Sequence, residues 1–591
     1  MKNLTNILKN KQVKDIAIWC GAGISINSPC CLPSGYELSD QIFYEFMEYH
    51  SSILTIWKNC NKIIQKYTNT HDGIRPEVMV SCINRIKYAK TTKEFYRRFG
   101  KLERVHHNYN HYLLSLFVEA GGIVYTTNFD MCIEHAFESI FQKPLQKEQL
   151  CNGKVVAFFS EKDGAIYHVH GTFEYGEEAG ASIENVMTGF DREMLDQMEN
   201  SFTRQINIFA GYSFSDDYDL NNLFRRCGTN GSNIFVCNHR GLDQILTYKV
   251  KEICGKGTIM IEKDTTDLFR QILENLQISY LTESKMAGPQ IVEWRHFLSY
   301  PNGYNVQYKL LYTVELINQF HISYKKIDKD IFGAFLKLVP EIMSEVAEKE
   351  KENTEQETAK AIDTILYNLI ANSAYWVGGK SLILKGDFLK RALKNRFNNN
   401  LFLLQSNAKR QRLREHLLQI EQKLKNGEKL SNEDHEVIAI YMRIQTVCQI
   451  LGGTMKTQNL LEGVNSHTCN LEYSQGEEVY MFAARLRYKY LLTHQEEDWK
   501  EAVRIYYDVG NIEGVISSLI AKAVVGSIVT NRRISHIEEW KDAFILIRET
   551  GNNKYKRKCN FLWLADGLKH IPIVGAKICK NVFSISEKLY S

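Results

Sequence analysis

The amino-acid sequence predicts a doubly wound, parallel α/β sheet followed by an all-helical C-terminal domain, and three observations predict it. Short runs of apolar, β-branched or aromatic residues recur through the first half, with helical patterns between them. Most of these runs are followed by glycine, asparagine or serine, as buried parallel strands are where ligand-binding loops begin. After about Leu281 the strand-like runs and glycines thin out, and long patterns of helical spacing take over.

In chain order the expected strands are Ile16–Cys20, Ile123–Thr127, Ile166–Val169, Ile206–Tyr212, Ile234–Cys237 and Thr258–Glu262. Each is apolar on both faces, which suits a strand covered by helices on each side. Helical patterns fall at Glu37–Tyr49, Tyr109–Ala120 and Thr266–Gln277, and the strand-poor stretch from about 51 to 104 reads as a helical insertion. Together these make a first domain over 1–284. The second, over 285–591, carries helical spacing at Ala359–Trp376, Ala408–Lys425, Asp434–Leu451 and Glu478–Leu492. Glu501–Ile520 reads as two helices about a turn at Gly510-Asn511, without a persuasive 34-residue repeat period. The charged run Glu345–Glu357 reads as a solvated helix face or surface connection.

Composition narrows the function classes. The chain has 591 residues, 44% hydrophobic and 24% charged, a balance suited to a soluble protein of more than one core. A net charge of +4 gives no push towards nucleic acid. The N-terminal segment lacks the apolar stretch of a secretory signal and no run is long enough to span a membrane, so a cytoplasmic protein with reduced thiols is expected. Its 14 cysteines include no C-x-x-C pair, the commonest structural zinc spacing.

Polar residues collect where the expected strands end. Gly21-Ala22-Gly23-Ile24-Ser25 follows the first strand, and two glycines flanking one small residue let backbone turn tightly and approach a pyrophosphate. The third glycine of the dinucleotide fingerprint is absent, so this motif alone is a weak signal. Thr126-Thr127-Asn128-Phe129-Asp130, His168-Val169-His170-Gly171, Gly211-Tyr212-Ser213 and Asn238 end later strands. His168, two residues before His170, is expected to share its face as support. Asp216, Asp217 and Asp219 read as a solvated acidic loop in preference to a metal site.

The order G-A-G-I-S, T-x-N-x-D, H-G, G-x-S and a strand-terminal asparagine resembles the sirtuin superfamily over about residues 13–280. Asn108-x-x-His111 resembles the helix motif ahead of T-x-N-x-D in that family, with His107 where proline is usual. The resemblance implies a Rossmann-like, NAD-binding domain. It places Gly21, Ala22, Gly23 and Ser25 at the pyrophosphate and adjoining ribose, and Asn128 and Asp130 at the nicotinamide ribose. It makes Asn128 and His170 catalytic, with His170 as the general base. Gly211 and Ser213 would meet the phosphates and adenosine ribose, and Asn238 the adenosine ribose.

The chain departs from the sirtuin deacylases in ways that bear on activity. Their four-cysteine zinc module lies between H-G and G-x-S, whereas Thr172–Phe209 here holds no cysteine, so no zinc is expected. The F-G-E-type peptide-binding segment is missing, and the P-x-F-R loop is replaced by Leu32-Pro33-Ser34-Gly35-Tyr36-Glu37-Leu38. These features resemble the divergent sirtuin-like proteins of bacterial antiphage defence. That resemblance implies an NAD+ glycohydrolase with NAD+ as substrate, restrained until infection. It also implies homo-oligomerisation or a sensor partner from the same defence system, engaged through the helical half. The alternatives are an NAD+ or ADP-ribose-binding module without turnover, and a protein deacylase or ADP-ribosyltransferase. Membrane or direct nucleic-acid partners are not expected.

Overall fold

The computed structural model describes residues 4–35, 37–38, 51–67, 106–172, 182–216, 218–227, 233–238, 244–283, 407–431, 433–435, 462–469, 479–508, 511–530 and 536–551, with isolated residues elsewhere. Most of the helical patterns expected at Glu37–Tyr49 and Asp434–Leu451, and all of Ala359–Trp376 and the charged run Glu345–Glu357, lie outside the described residues. The chain divides into two compact units, 1–45 with 75–84 and 89–304, and 46–74 with 85–88 and 305–591.

The first unit is an eight-stranded sheet in the order β3-β4-β5-β2-β1-β6-β7-β8. Its strands are β1 (Ile16–Cys20), β2 (Ile123–Thr126), β3 (Gln146–Leu150), β4 (Val155–Phe159), β5 (Ala165–His168), β6 (Ile206–Ala210), β7 (Ile234–Asn238) and β8 (Ile259–Glu262). All six expected strands are present, and β5, β2, β1, β6, β7 and β8 pair in parallel. The chain builds outward from β1 to β2 and β5, then returns to lay β6 to β8 on the other side. The topological switch point therefore falls between β1 and β6, where such sheets bind ligands.

The sheet is not wholly parallel, however. The β3–β4 hairpin adds two antiparallel strands beside β5. β3 reads QKEQL and is mostly exposed, a polar edge strand whose lysine and charge discourage further pairing. It offers none of the apolar alternation by which strands are recognised.

Apolar residues on alternate sides of the strands feed two cores. Ile16, Ile18, Val124, Ile166 and Ile208 pack under the helices Tyr109–Glu119, Cys132–Phe141 and Thr265–Asn275. On the opposite face Tyr167, Tyr125, Trp19 and Phe209 form an in-register row across β5, β2, β1 and β6. The rings stack, with centroids 5.2, 4.2 and 5.7 Å apart along the row. Trp19 donates its indole N–H to Asn207 at 2.8 Å, which satisfies the polar edge of a buried ring. The row lies one residue before the strand ends, so it sets the register from which the polar loops leave.

The second unit is helical in all its described elements. Val479–Thr493, Glu496–Asp508, Ile512–Thr530 and Ile537–Thr550 pack in succession. The helices Glu496–Asp508 and Ile512–Thr530 lie on either side of the turn expected at Gly510-Asn511, of which Gly510 is outside the described residues. Trp499 is buried between them, donating to the Ser518 carbonyl at 2.7 Å, with the Lys522 ammonium 4.1 Å from its ring centre. The helix Asn407–Lys425 places Glu421 against the backbone N–H groups of Gly463 and Val464, both at 2.9 Å, so its carboxylate meets the positive end of the helix Glu462–Cys469.

The insertion expected over about 51–104 contributes its described helix, Ser51–Ile64, to this second unit. Ile56, Cys60, Ile63 and Ile64 are buried at helical spacing along one face, and the helix packs against Ile537–Thr550. Lys66 pairs with the buried carboxylate of Asp542 at 3.0 Å, and the Tyr67 hydroxyl donates to it at 2.7 Å. No helix among the described residues is long and apolar enough to cross a membrane.

Candidate active site

Register places the motifs side by side. Cys20 lies opposite Thr126 and Ala210, and Thr126 opposite His168, so the segments beginning at Gly21, Thr127, Val169 and Gly211 all leave one row at the carboxyl edge.

The G-A-G turn and Gly211 interlock. Gly23 N–H donates to the Gly211 carbonyl at 3.0 Å, and a Cβ on Gly23 would lie 2.6 Å from the Gly211 Cα. A Cβ on Gly21 would lie 2.7 Å from the Gly211 oxygen, and one on Gly211, whose φ is +62°, would lie 2.7 Å from the Ile24 nitrogen. Close passage of two backbones at the switch point thus by itself accounts for the glycines. Beyond Gly21 the chain forms a single 3-10 turn, Ala22–Ser25.

Ser25 is the hub of a buried network joining the segments after β1 and β2 to the start of the helix Tyr109–Glu119. Asn108 N–H donates to His111 Nδ1 at 3.1 Å, which leaves the neutral ring's hydrogen on Nε2, 3.0 Å from Ser25 Oγ. Asn128 Nδ2 also donates to Ser25 Oγ, at 3.2 Å, and Ser25 donates to Asp130 Oδ2 at 3.0 Å. The other Asp130 oxygen accepts Cys132 N–H at 3.2 Å, where the helix Cys132–Phe141 begins. Each hydroxyl valence of Ser25 is used, so the orientations of Asn128 and Asp130 are set together. In the sequence His111 stands out only as part of a family motif; the structure makes it the inner end of this network.

The two histidines of β5 and its loop serve different layers. His168 Nδ1 lies 2.8 Å from the Asn128 carbonyl and Nε2 lies 2.7 Å from Glu134 Oε1. Two acceptors require both nitrogens to donate, so His168 is an imidazolium beside a carboxylate. Burial would lower its pKa, but Glu134 and the Asn128 carbonyl raise it above the ordinary value. His170 Nε2 instead lies 3.1 Å from Asp219 Oδ2. Glu134 belongs to a helix on one side of the sheet, whereas Asp219 caps a helix, Leu220–Arg226, whose apolar residues fill the core on the other. His168 thus contacts the Asn128 carbonyl and does not share a face with His170, contrary to the expectation from their spacing.

Asp219 is not part of a solvated loop. It is buried, accepts Leu220 N–H at 2.7 Å, and pairs with Lys154 Nζ at 3.2 Å. Lys154 is buried too, donates to the carbonyls of Val186 and Gly189, and sits 4.0 Å from the Phe190 ring centre. Burial would raise the Asp219 pKa, but His170 and Lys154 hold it well below the carboxylate range. For His170, burial opposes the charged form while Asp219 favours it, and the net shift is upward. Lys154 escapes sequence reasoning because it directly precedes β4, a strand that carries no motif. Asp217 lies outside the described residues.

The remaining expected residues sit farther along the edge. Ser213 is exposed beyond the Gly211 interlock, and Asn238 ends β7, two strands from β1. Ala22 is half-buried in the 3-10 turn. The edge therefore offers amide, carboxylate and hydroxyl groups near the switch point, an imidazole–carboxylate pair beside them, and a two-backbone turn next to β6.

Residues 122–250 match the family model described as SIR2-like domain, from the start of β2 into the helix Gln244–Cys254. No curated protein matches the chain. Domains of this type use NAD+ as substrate, and the strand-end groups around Ser25 and His170 are of kinds that can hold a ribose and move a proton. Residues 122–250 thus carry a SIR2-like domain, and the match, together with the parallel sheet built around it, supports a member of the sirtuin-like superfamily.

Proposed function

We propose that the protein is an NAD+ glycohydrolase that converts NAD+ and water to nicotinamide, ADP-ribose and a proton. The observation that carries this reading is the buried His170–Asp219 pair at the same sheet edge as the Ser25–Asn128–Asp130 network. Cleavage of the bond between ribose and nicotinamide builds oxocarbenium character at the ribose, and its electron pair returns to the pyridinium ring. The leaving group departs neutral, so no strong general acid is called for. Water must be oriented and relieved of a proton. Asn128, held through Ser25 and through the His168 contact to its carbonyl, is suited to orientation. His170, with Nε2–H donated to Asp219, has Nδ1 with which to take the proton. Asp219 would orient the ring and stabilise the imidazolium, as a carboxylate does in an acyl-transfer triad.

The lack of cysteine over Thr172–Phe209 and of a peptide-binding segment supports water as acceptor in preference to acyl-lysine. We further propose that the enzyme acts in the bacterial cytoplasm as an antiphage effector that depletes NAD+ on infection. In this reading the helical unit binds a sensor partner or further copies of the chain. The support is the resemblance of the divergent motifs to that group. The test follows NAD+, nicotinamide and ADP-ribose in cells carrying wild type, Asn128→Ala or His170→Ala, with and without phage. The expected result is NAD+ loss with both products for wild type alone. Unchanged NAD+ in infected, protected cells would overturn the reading in favour of a binding module without turnover.

A further inference from the structure

His111, the inner end of the Ser25 network, also belongs to a second cluster whose two thiols the proposed reaction does not use. Cys30, His111 and Cys132 are fully buried, and their Sγ, ring nitrogen and Sγ atoms all lie within 4.8 Å of one another. They come from three separated segments: the loop after β1, the helix ahead of β2 and the helix after it.

Their spacing is that of a coordination sphere. Tetrahedral bonds of about 2.3 Å to sulfur and about 2.0–2.1 Å to nitrogen separate two sulfurs by about 3.8 Å, and sulfur from nitrogen by about 3.5 Å. Cys30 Sγ lies 3.8 Å from Cys132 Sγ and 3.5 Å from His111 Nδ1. A disulfide would need the sulfurs at about 2.05 Å, far closer than they stand. Charge agrees with geometry: two thiolates and a neutral imidazole around a divalent ion sum to zero, as a fully buried site requires. His111 also has the outer-shell contact usual for a metal-bound histidine, since its other nitrogen faces Ser25 Oγ at 3.0 Å.

We propose that Cys30, His111 Nδ1 and Cys132 form a binding site for a thiophilic divalent cation, with zinc the fitting ion. Binding releases the two thiol protons to solvent and forms two metal–sulfur bonds and one metal–nitrogen bond, without redox change. No fourth side-chain ligand joins the cluster among the described residues, so a backbone carbonyl or water completes the sphere. The present hydrogen bonds give way: the Asn108 N–H, 3.1 Å from Nδ1, the His106 carbonyl, 2.8 Å from Cys30 Sγ, and the contacts of the Cys30 thiol with Cys132 and His111. The ion would lie behind the network, tying the G-A-G-I-S loop to the helices on either side of T-x-N-x-D. Its role is to position Ser25 and Asp130, not to touch substrate.

The test is metal content of the full chain purified without chelator. About one zinc per chain is expected in wild type and in a control thiol variant, Cys227→Ser, with a tenfold or greater loss in Cys30→Ser and Cys132→Ser. Should the cluster variants fail to fold, cobalt titration of chelator-stripped wild type decides. A thiolate-to-cobalt charge-transfer band saturating at one equivalent supports the site, and no band overturns it. Zinc retained in both cysteine variants, or a Cys30–Cys132 disulfide in protein isolated without reductant, also overturns it. None of these readouts depends on NAD+ cleavage.

Discussion

At the residue scale, the His170–Asp219 pair makes a prediction with a definite sign. A general base works only when deprotonated, and Asp219 raises the pKa of His170. Activity is therefore expected to fall as pH drops through a value above the ordinary histidine range of about 6.5. In Asp219→Asn the acid limb of the pH–rate profile moves to lower pH, and His170→Ala loses about 10²- to 10⁴-fold in rate. Initial rates of NAD+ cleavage across pH check both. An acid limb unmoved in Asp219→Asn would mean that another group titrates. The His168–Glu134 pair predicts a stability effect instead. Removing one partner of a buried pair costs about 3–5 kcal/mol, so Glu134→Ala should lower the thermal midpoint markedly. Because the folded pKa of His168 is raised, its contribution is fully present below about pH 6.5 and is lost as pH rises through the folded value. The gap between wild type and Glu134→Ala should thus narrow at alkaline pH; a constant gap would show that packing, not charge, is responsible.

At the element scale, the junction of the β1 and β6 loops is the point least tolerant of added atoms. Gly23→Ala places a methyl 2.6 Å from backbone that cannot rotate away, and Gly211→Ala adds a left-handed φ to a similar clash. Each is expected to destabilise the unit by at least about 1–3 kcal/mol, the ordinary cost of overpacking. Gly189→Ala is a useful contrast: its φ is +68° but nothing lies within 4 Å of the added carbon, so only the backbone cost applies. Thermal shifts of the three variants should rank Gly189 mildest, and equal shifts would refute the interlock as the cause. The strands are legible in the sequence because β-branched and aromatic runs end in small or polar residues, as at Trp19-Cys20-Gly21 and Phe209-Ala210-Gly211. The β3–β4 hairpin is not, since an exposed edge strand such as QKEQL has no periodic signal to read. With the hairpin unread, Lys154 stays hidden, and with it the reason Asp219 is buried.

At the scale of the whole molecule, division of the chain in space does not follow its division in sequence. The helix Ser51–Ile64 lies inside the sequence of the sheet unit but buries Ile56, Cys60, Ile63 and Ile64 within the helical unit. A chain ending at residue 304 would expose that apolar stripe and strip Lys66 and Tyr67 of Asp542. Such a chain is expected to aggregate or to be cleaved within 46–74, read by size-exclusion chromatography and limited proteolysis. A soluble, protease-resistant product would show that the helix finds another partner. Adding residues 305–591 as a separate polypeptide should rescue solubility if the stripe is the cause.

The sequence by itself determined the sheet's parallel core, its helical second half and the motifs at the strand ends. These are local matters: hydrophobic period, strand length, and small or polar residues where strands stop. Tertiary structure decided what the motif residues do to one another. Ser25 lies 86 residues from His111 and 103 from Asn128, and Lys154 lies 65 from Asp219, yet each pair is in hydrogen-bond contact. It likewise decided that Cys30 and Cys132, 102 residues apart and in no recognised spacing, converge on one histidine. The physical reason is that periodicity encodes which face of an element is buried, while partnerships between elements arise only when parallel strands bring their ends into one row.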